Sequence, residues 1–165
     1  MSWTNLDNNA HTRLWEHLNN LWNAVLGIVP ASTRVVKTTD STTGGAYTVV
    51  FDSESWDNST PEMHTAGAPD RVQIRTAGKY IVHGMVTLNS NANIQPTLAL
   101  CKNGTPWLTM LVSVDNTKVV DLAFTDEQAF AVGDYITLQV TALTGGTLGI
   151  LGTKQCHMNV RRISA

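Results

Sequence analysis

An all-β antiparallel sandwich of the jelly-roll type, about nine or ten strands behind one short N-terminal α-helix, is the fold class this sequence predicts. Three observations carry it. From residue 32 onward, apolar and polar residues alternate with period two. Clusters of turn formers interrupt that alternation at the short intervals of a sandwich. Only one segment, near the start, has helical spacing.

The period-two runs are Ser32–Thr38, Ala46–Phe51, Arg71–Arg75, Lys79–Asn89, Thr97–Lys102, Trp107–Val114, Lys118–Thr125, Tyr135–Leu143 and Cys156–Ile163. Turn chemistry separates them: Thr-Thr-Gly-Gly before Ala46, Lys102–Gly104, the region of Asp115, Gly133–Asp134 and Thr144–Gly146. Between Asp52 and Pro69 the pattern lapses into a long loop. Within Lys79–Asn89 the alternation is unusual. Tyr80, Val82, Gly84 and Val86 share one face, but the opposite face carries Ile81, His83 and Met85 rather than the polar row of a water-facing sheet.

Asn8–Leu26 reads as the helix. Leu14, Leu18, Leu21 and Val25 follow coiled-coil spacing, and Trp15, Trp22 and Leu26 widen the stripe. Asp7 suits the N-cap, and Gly27 and Pro30 stop the helix. So short a helix is marginal alone. Trp3, Leu14, Trp15, Leu18, Leu21, Trp22 and Val25 are therefore expected to dock, on the chain's own domain, around a symmetry axis or in a larger assembly. The organisation predicted is a helical anchor or oligomerisation segment over 1–31 and a jelly roll over 32–165.

Composition narrows function. Net charge is −2 and charged residues are only 15% of the 165, so no electrostatic field draws in nucleic acid or acidic membranes. No run approaches the ~20 apolar residues of a membrane span, and the first ten residues do not read as a secretion signal. Cys101 and Cys156, far apart in sequence, are expected as buried thiols.

Order and spacing of several motifs add a resemblance. Phe51–Asp57 (FDSESWD), then DRVQI before AGKYIVHGMV, then Cys101–Gly104 (CKNG) and Glu127–Val140 (EQAFAVGDYITLQV) resemble the complement-and-tumour-necrosis-factor type of jelly roll. Gly78 with Tyr80, Lys102–Gly104, and Gly133 with Asp134 match its motifs in order. The resemblance implies a homotrimer, with Ile81, His83 and Met85, or the opposite set that carries Tyr80, expected at the subunit interface. The leader and the Phe51–Ile74 stretch further resemble bacteriophage virion proteins, which combine a terminal anchor with a jelly-roll head.

Catalytic signatures are missing: no HExxH, no GxSxG and no phosphate-binding GxxxxGK[ST]. His11 and His17 are off chelating spacing, and His83 and His157 read as core or interface residues. Asp52, Glu54 and Asp57 could be imagined around calcium, but lack the alternating acid-and-glycine form of a calcium loop. An ion pair from Glu54 or Asp57 to Arg71, pinning the long loop, is the simpler expectation. Trp56, Met63, His64 and Trp107 are the expected outward contacts. The function expected is that of a non-enzymatic virion structural protein, without cofactor or resident metal, decorating a phage capsid or forming a head fibre. The alternatives are a minor tail protein binding host-surface glycans and a ligand-like signalling domain of the same fold. The localisation expected is the virion, assembled in the host cytoplasm.

Overall fold

Period-two patterning becomes twelve β-strands in the computed structural model, which describes residues 30–142, 146–154 and 156–164. The expected N-terminal helix, and with it Trp3, Leu14, Trp15, Leu18, Leu21, Trp22 and Val25, lies outside the described residues. The strands are β1 (Ser32–Val36), β2 (Ser41–Thr43), β3 (Tyr47–Thr48), β4 (Ser53–Asp57), β5 (Val72–Gln73), β6 (Gly78–Ser90), β7 (Thr97–Lys102), β8 (Thr105–Leu111), β9 (Val119–Phe130), β10 (Tyr135–Ala142), β11 (Leu148–Ile150) and β12 (His157–Ser164). Among the described residues no helix is long and apolar enough to cross a membrane.

Two antiparallel sheets hold these strands. The larger runs β2-β11-β6-β12-β1-β4, with β9 along the other edge of β6. The smaller runs β3-β10-β7-β8, with β5 beside β10. Neighbours are mostly non-consecutive in sequence, as the crossovers of a jelly roll require. The core lies between the sheets. Val35, Tyr80, Val82, Val86, Leu88, Met158 and Val160 of the larger sheet cluster with Leu98, Leu100, Ile136, Leu138 and Val140 of the smaller.

Two motifs singled out in the sequence lock together. Asn103 (φ 52°) and Gly104 (φ 81°) form the two-residue turn between β7 and β8. Positive φ at both positions gives the strand twist a tight hairpin needs, which is why Asn-Gly suits it. Asp134, in the β9–β10 turn, accepts hydrogen bonds from Asn103 Nδ2 (2.7 Å) and the Ala131 amide (2.7 Å), and an ion pair from Lys102 Nζ (3.0 Å). Asn103 Oδ1 in turn accepts from the Tyr135 amide at 2.9 Å. The bond from Asn103 leads the interactions that hold the Asp134 carboxyl below its ordinary range.

At the centre of β6, Gly84 lies opposite Phe124. A Cβ there would sit 2.2 Å from the His157 carbonyl oxygen and 2.7 Å from the Phe124 ring. The missing side chain is what lets that ring lie over the strand.

Strand limits differ from expectation in one informative place. β4 occupies part of the expected loop, pairing with β1 across a bulge between Arg34 and Val35. Its sequence, Ser-Glu-Ser-Trp-Asp, has no apolar alternation because it is an edge strand with little core to face.

Candidate functional site on the outer face of the large sheet

Tyr80, Val82 and Val86 join the core, so the alternate residues of β6, Ile81, His83 and Met85, point outward. Backbone register builds rows around them. Ile81 lies between Arg161 of β12 and Glu127 of β9, His83 between Asn159 and Thr125, and Met85 between His157 and Ala123. β1 extends the rows, with Ser32 beside Arg161, Arg34 beside Asn159 and Val36 beside His157. β4 ends the middle row with Trp56 beside Arg34. The face thus runs Trp56–Arg34–Asn159–His83–Thr125 across five strands.

Its chemistry mixes apolar and basic side chains with a few neutral polar ones and the carboxylate of Glu127. Val36, Ile81 and Met85 are half-buried by their neighbours, His83 is exposed, and Trp56 keeps 47% of its surface in solvent. The Arg34 guanidinium lies 5.6 Å from the Trp56 ring centroid, within cation–π range, while its buried Nε has no hydrogen-bond partner. Burial, then the proximity of His157 and Arg34, holds the His83 imidazole below the ordinary histidine range. At the margin Lys79 and Glu127 pair at 2.5 Å, and Asp121 accepts a 2.6 Å hydrogen bond from Thr87.

The expected site residues separate sharply. Ile81, His83 and Met85 lie together on this face. Tyr80 does not: it is fully buried in its own core, its hydroxyl donates to the Thr76 carbonyl at 2.7 Å, and its ring meets Phe130 edge-on at 5.8 Å. A side chain closed off inside one chain cannot touch a second, so Tyr80 is removed from the interface.

The outward loop contacts are corrected more heavily. Met63 is 1% exposed and His64 5%. Asp57 draws both inward, since its carboxylate accepts from the amides of Ser59 (2.9 Å), Met63 (2.6 Å) and His64 (3.1 Å). His64 Nδ1 lies 3.6 Å from Glu54. Trp107, on β8, is half-buried and packs edge-on against Phe130 at 5.7 Å. Trp56 is exposed, but as part of the sheet face. Arg71 pairs with its neighbour Asp70 at 3.0 Å and lies 4.8 Å from the Tyr135 ring, so neither Glu54 nor Asp57 is its partner.

Asp52, Glu54 and Asp57 are each engaged separately: Asp52 with Thr38 and Thr39, Glu54 with His64, and Asp57 with the loop amides. Among the described residues no group of three metal-binding side chains gathers. An open groove of about 500 Å³ runs past Phe51, Asp52, Glu54, Glu62, His64 and Pro69. Cys101 and Cys156 are free and buried, as expected, and burial pushes the Cys156 thiol up to about 11.

Sequence reading missed Arg34, Val36, His157, Asn159 and Arg161 as parts of one surface. A signal existed on β12, where His157, Asn159 and Arg161 alternate with the buried Met158 and Val160. Their position beside His83 is a matter of register, which one strand's sequence does not contain.

Comparison with solved structures decides the fold. Murine APRIL at pH 5.0 superposes with TM-score 0.64 at 12% identity, over 81% of this chain and 99% of that one. Eiger TNF from S. frugiperda gives 0.58 at 13% identity, over 82% and 93%. The globular domain of zebrafish complement 1qA gives 0.55 at 14% identity, over 81% and 97%. The fold is a tumour-necrosis-factor-like jelly roll. Identities this low carry architecture alone. No protein-family profile matches the sequence, and no curated protein matches it.

Proposed function

We propose that this chain is a non-enzymatic assembly protein that forms a homotrimer through the outer face of its large sheet, and that it serves as a structural protein of a bacteriophage particle. The observation that carries the assembly reading is the set of outward apolar side chains, Ile81 on one side of the His83 row and Val36 with Met85 on the other. Val36, Ile81 and Met85 stand on strands whose backbones are already paired, so only burial of their side chains remains to be gained. A jelly roll of the tumour-necrosis-factor type offers such a face to neighbours around a threefold axis. The particle reading rests on the resemblance of the leader and the Phe51–Ile74 stretch to virion proteins. In that role the head decorates the capsid or forms a head fibre, and residues 1–31 supply the attachment.

A minor tail protein that grips host glycans is the weaker alternative, because two of its four expected contact residues, Met63 and His64, are turned inward. The similarity to Eiger TNF supports a second reading, a ligand-like signalling domain of the same fold. Sedimentation of the full chain at micromolar concentration tests the assembly reading. A mass about three times the 17.9 kDa of one chain is expected, and a monomer overturns it. Copy number in purified particles tests the role: many copies indicate decoration, a few a tail component, and none the signalling reading.

A further inference from the structure

We propose that His83 makes the association face acid-releasable: protonating this imidazole in each copy drives the subunits apart while every head stays folded. The inference rests on the trimer reading above and concerns how that same face is regulated.

The geometry behind it is the charge surrounding His83. On β12, Asn159 lies directly across, with His157 and Arg161 on the two diagonals. Beyond Asn159, Arg34 of β1 occupies the same row. On β9, Thr125 lies across, with Ala123 and Glu127 diagonal. On β6 itself the flanking face residues are Ile81 and Met85, with Lys79 one place further on. The carboxylate among these, Glu127, is held by Lys79 at 2.5 Å. A proton on His83 therefore adds positive charge beside His157, Arg34 and Arg161, with its nearest carboxylate already engaged.

Within one chain that charge is tolerable, because His83 is exposed and water screens it. Once a second and third copy cover the face, water leaves and like charges from three chains converge. Burying an unpaired charge is far more costly than burying a neutral imidazole. The sign follows. Partial burial, then the neighbouring His157 and Arg34, already hold His83 below the ordinary histidine value, and covering the face lowers it further. Separated subunits then bind the proton more readily than assembled ones. Association is at full strength above the separated-state value and weakens as pH falls through it, below about 6.5. With three copies per assembly, the trimer constant falls by up to about a thousandfold per pH unit within that window.

Carboxylates that help hold the head together keep their charge through this window. Asp52, Asp70 and Asp134 hold carboxyls lowered from the ordinary value of 3.8, so the stability they contribute is present above that value and is lost only as pH falls below it.

The test is sedimentation of the full-length protein at pH 8 and pH 5, with circular dichroism at both, for the wild type and for His83→Gln. The expected result is a wild type trimeric at pH 8, dissociated and still folded at pH 5, and a His83→Gln variant whose degree of association, whatever its strength at pH 8, is the same at both pH values. A wild type trimeric at both pH values overturns the switch and leaves the trimer standing. A monomer at pH 8 overturns the trimer, and the switch with it. Acid dissociation that persists unchanged in His83→Gln assigns the effect to another group, such as His157, and rejects the proposal. If the variant does not assemble at pH 8, an NMR titration of wild-type His83 decides, with equal values in assembled and separated states counting against it.

Discussion

The loop after β4 and the outer face of the large sheet reverse the roles usually given to loops and strands. The loop is long and polar, and carries an exposed-looking Met-His pair, yet it folds in on itself. Asp57 takes three backbone amides, Arg75 Nε donates to the Glu62 carbonyl at 2.7 Å, and the Gln73 amide donates to the Met63 carbonyl at 2.7 Å. The face lies at the centre of the larger sheet, and leaves Ile81, Met85 and Trp56 partly in water. Backbone amides explain the difference. A loop without a ladder must find partners for its N–H and C=O groups, and finding them here buries its side chains. Strand β6 has its backbone bonded on both edges, so its outward side chains are left to meet something else.

That contrast can be broken from either side. Placing carboxylates on the face, Ile81→Asp with Met85→Asp, is expected to have the largest effect. Association should weaken by more than about a thousandfold, since each assembled copy would bury unpaired charge, while chemical denaturation of the separated head shifts by less than about 2 kcal/mol, the cost of two aspartates in half-buried strand positions. Sedimentation beside urea unfolding reads both; a large loss of head stability would show that these side chains serve the core.

Asp57→Ala attacks the loop instead. It strands three amides at once and should cost the head about 3 kcal/mol, read as a lower urea midpoint at unchanged slope. Association of the molecules that remain folded should be unaffected. A shift below about 1 kcal/mol would mean that the loop is held by its apolar contacts, Met63 first.

The smallest effect is expected at Cys156, which lies in the core beneath the face. With its thiol pushed up to about 11 by burial, it should resist alkylation at pH 8 in the wild type and equally in the Ile81→Asp/Met85→Asp variant. Faster labelling in that variant would mean that uncovering the face also loosens what lies below it.

Particular residues mark how far the sequence could be read. The Lys102–Gly104 hairpin and the Gly133–Asp134 turn were legible because positive φ and tight reversal select a few residue types. Their mutual lock, Asn103 on Asp134, was not, since 31 residues of chain separate them. The two-sided character of β6 was visible in its alternation, but which side belonged to the core was open. Tyr80 joined the wrong set because aromatic size alone does not say whether a ring fills a core or an interface. Met63 and His64 were misplaced because nothing in their own neighbourhood announces that Asp57, six and seven residues away, binds their amides.

Local rules thus determined the class of this protein: period two made strands, turn residues divided them, and low charge made a polar but weakly ionic surface. Those properties depend on residues close in the chain, where spacing is geometry. Only the tertiary structure decided that Arg34, His83, His157 and Trp56 share a surface. The pairing of β6 with β9 and β12, and of β1 with β12 and β4, sets that neighbourhood. Register between distant strands is chosen by the packing of the whole core, and no single segment carries it.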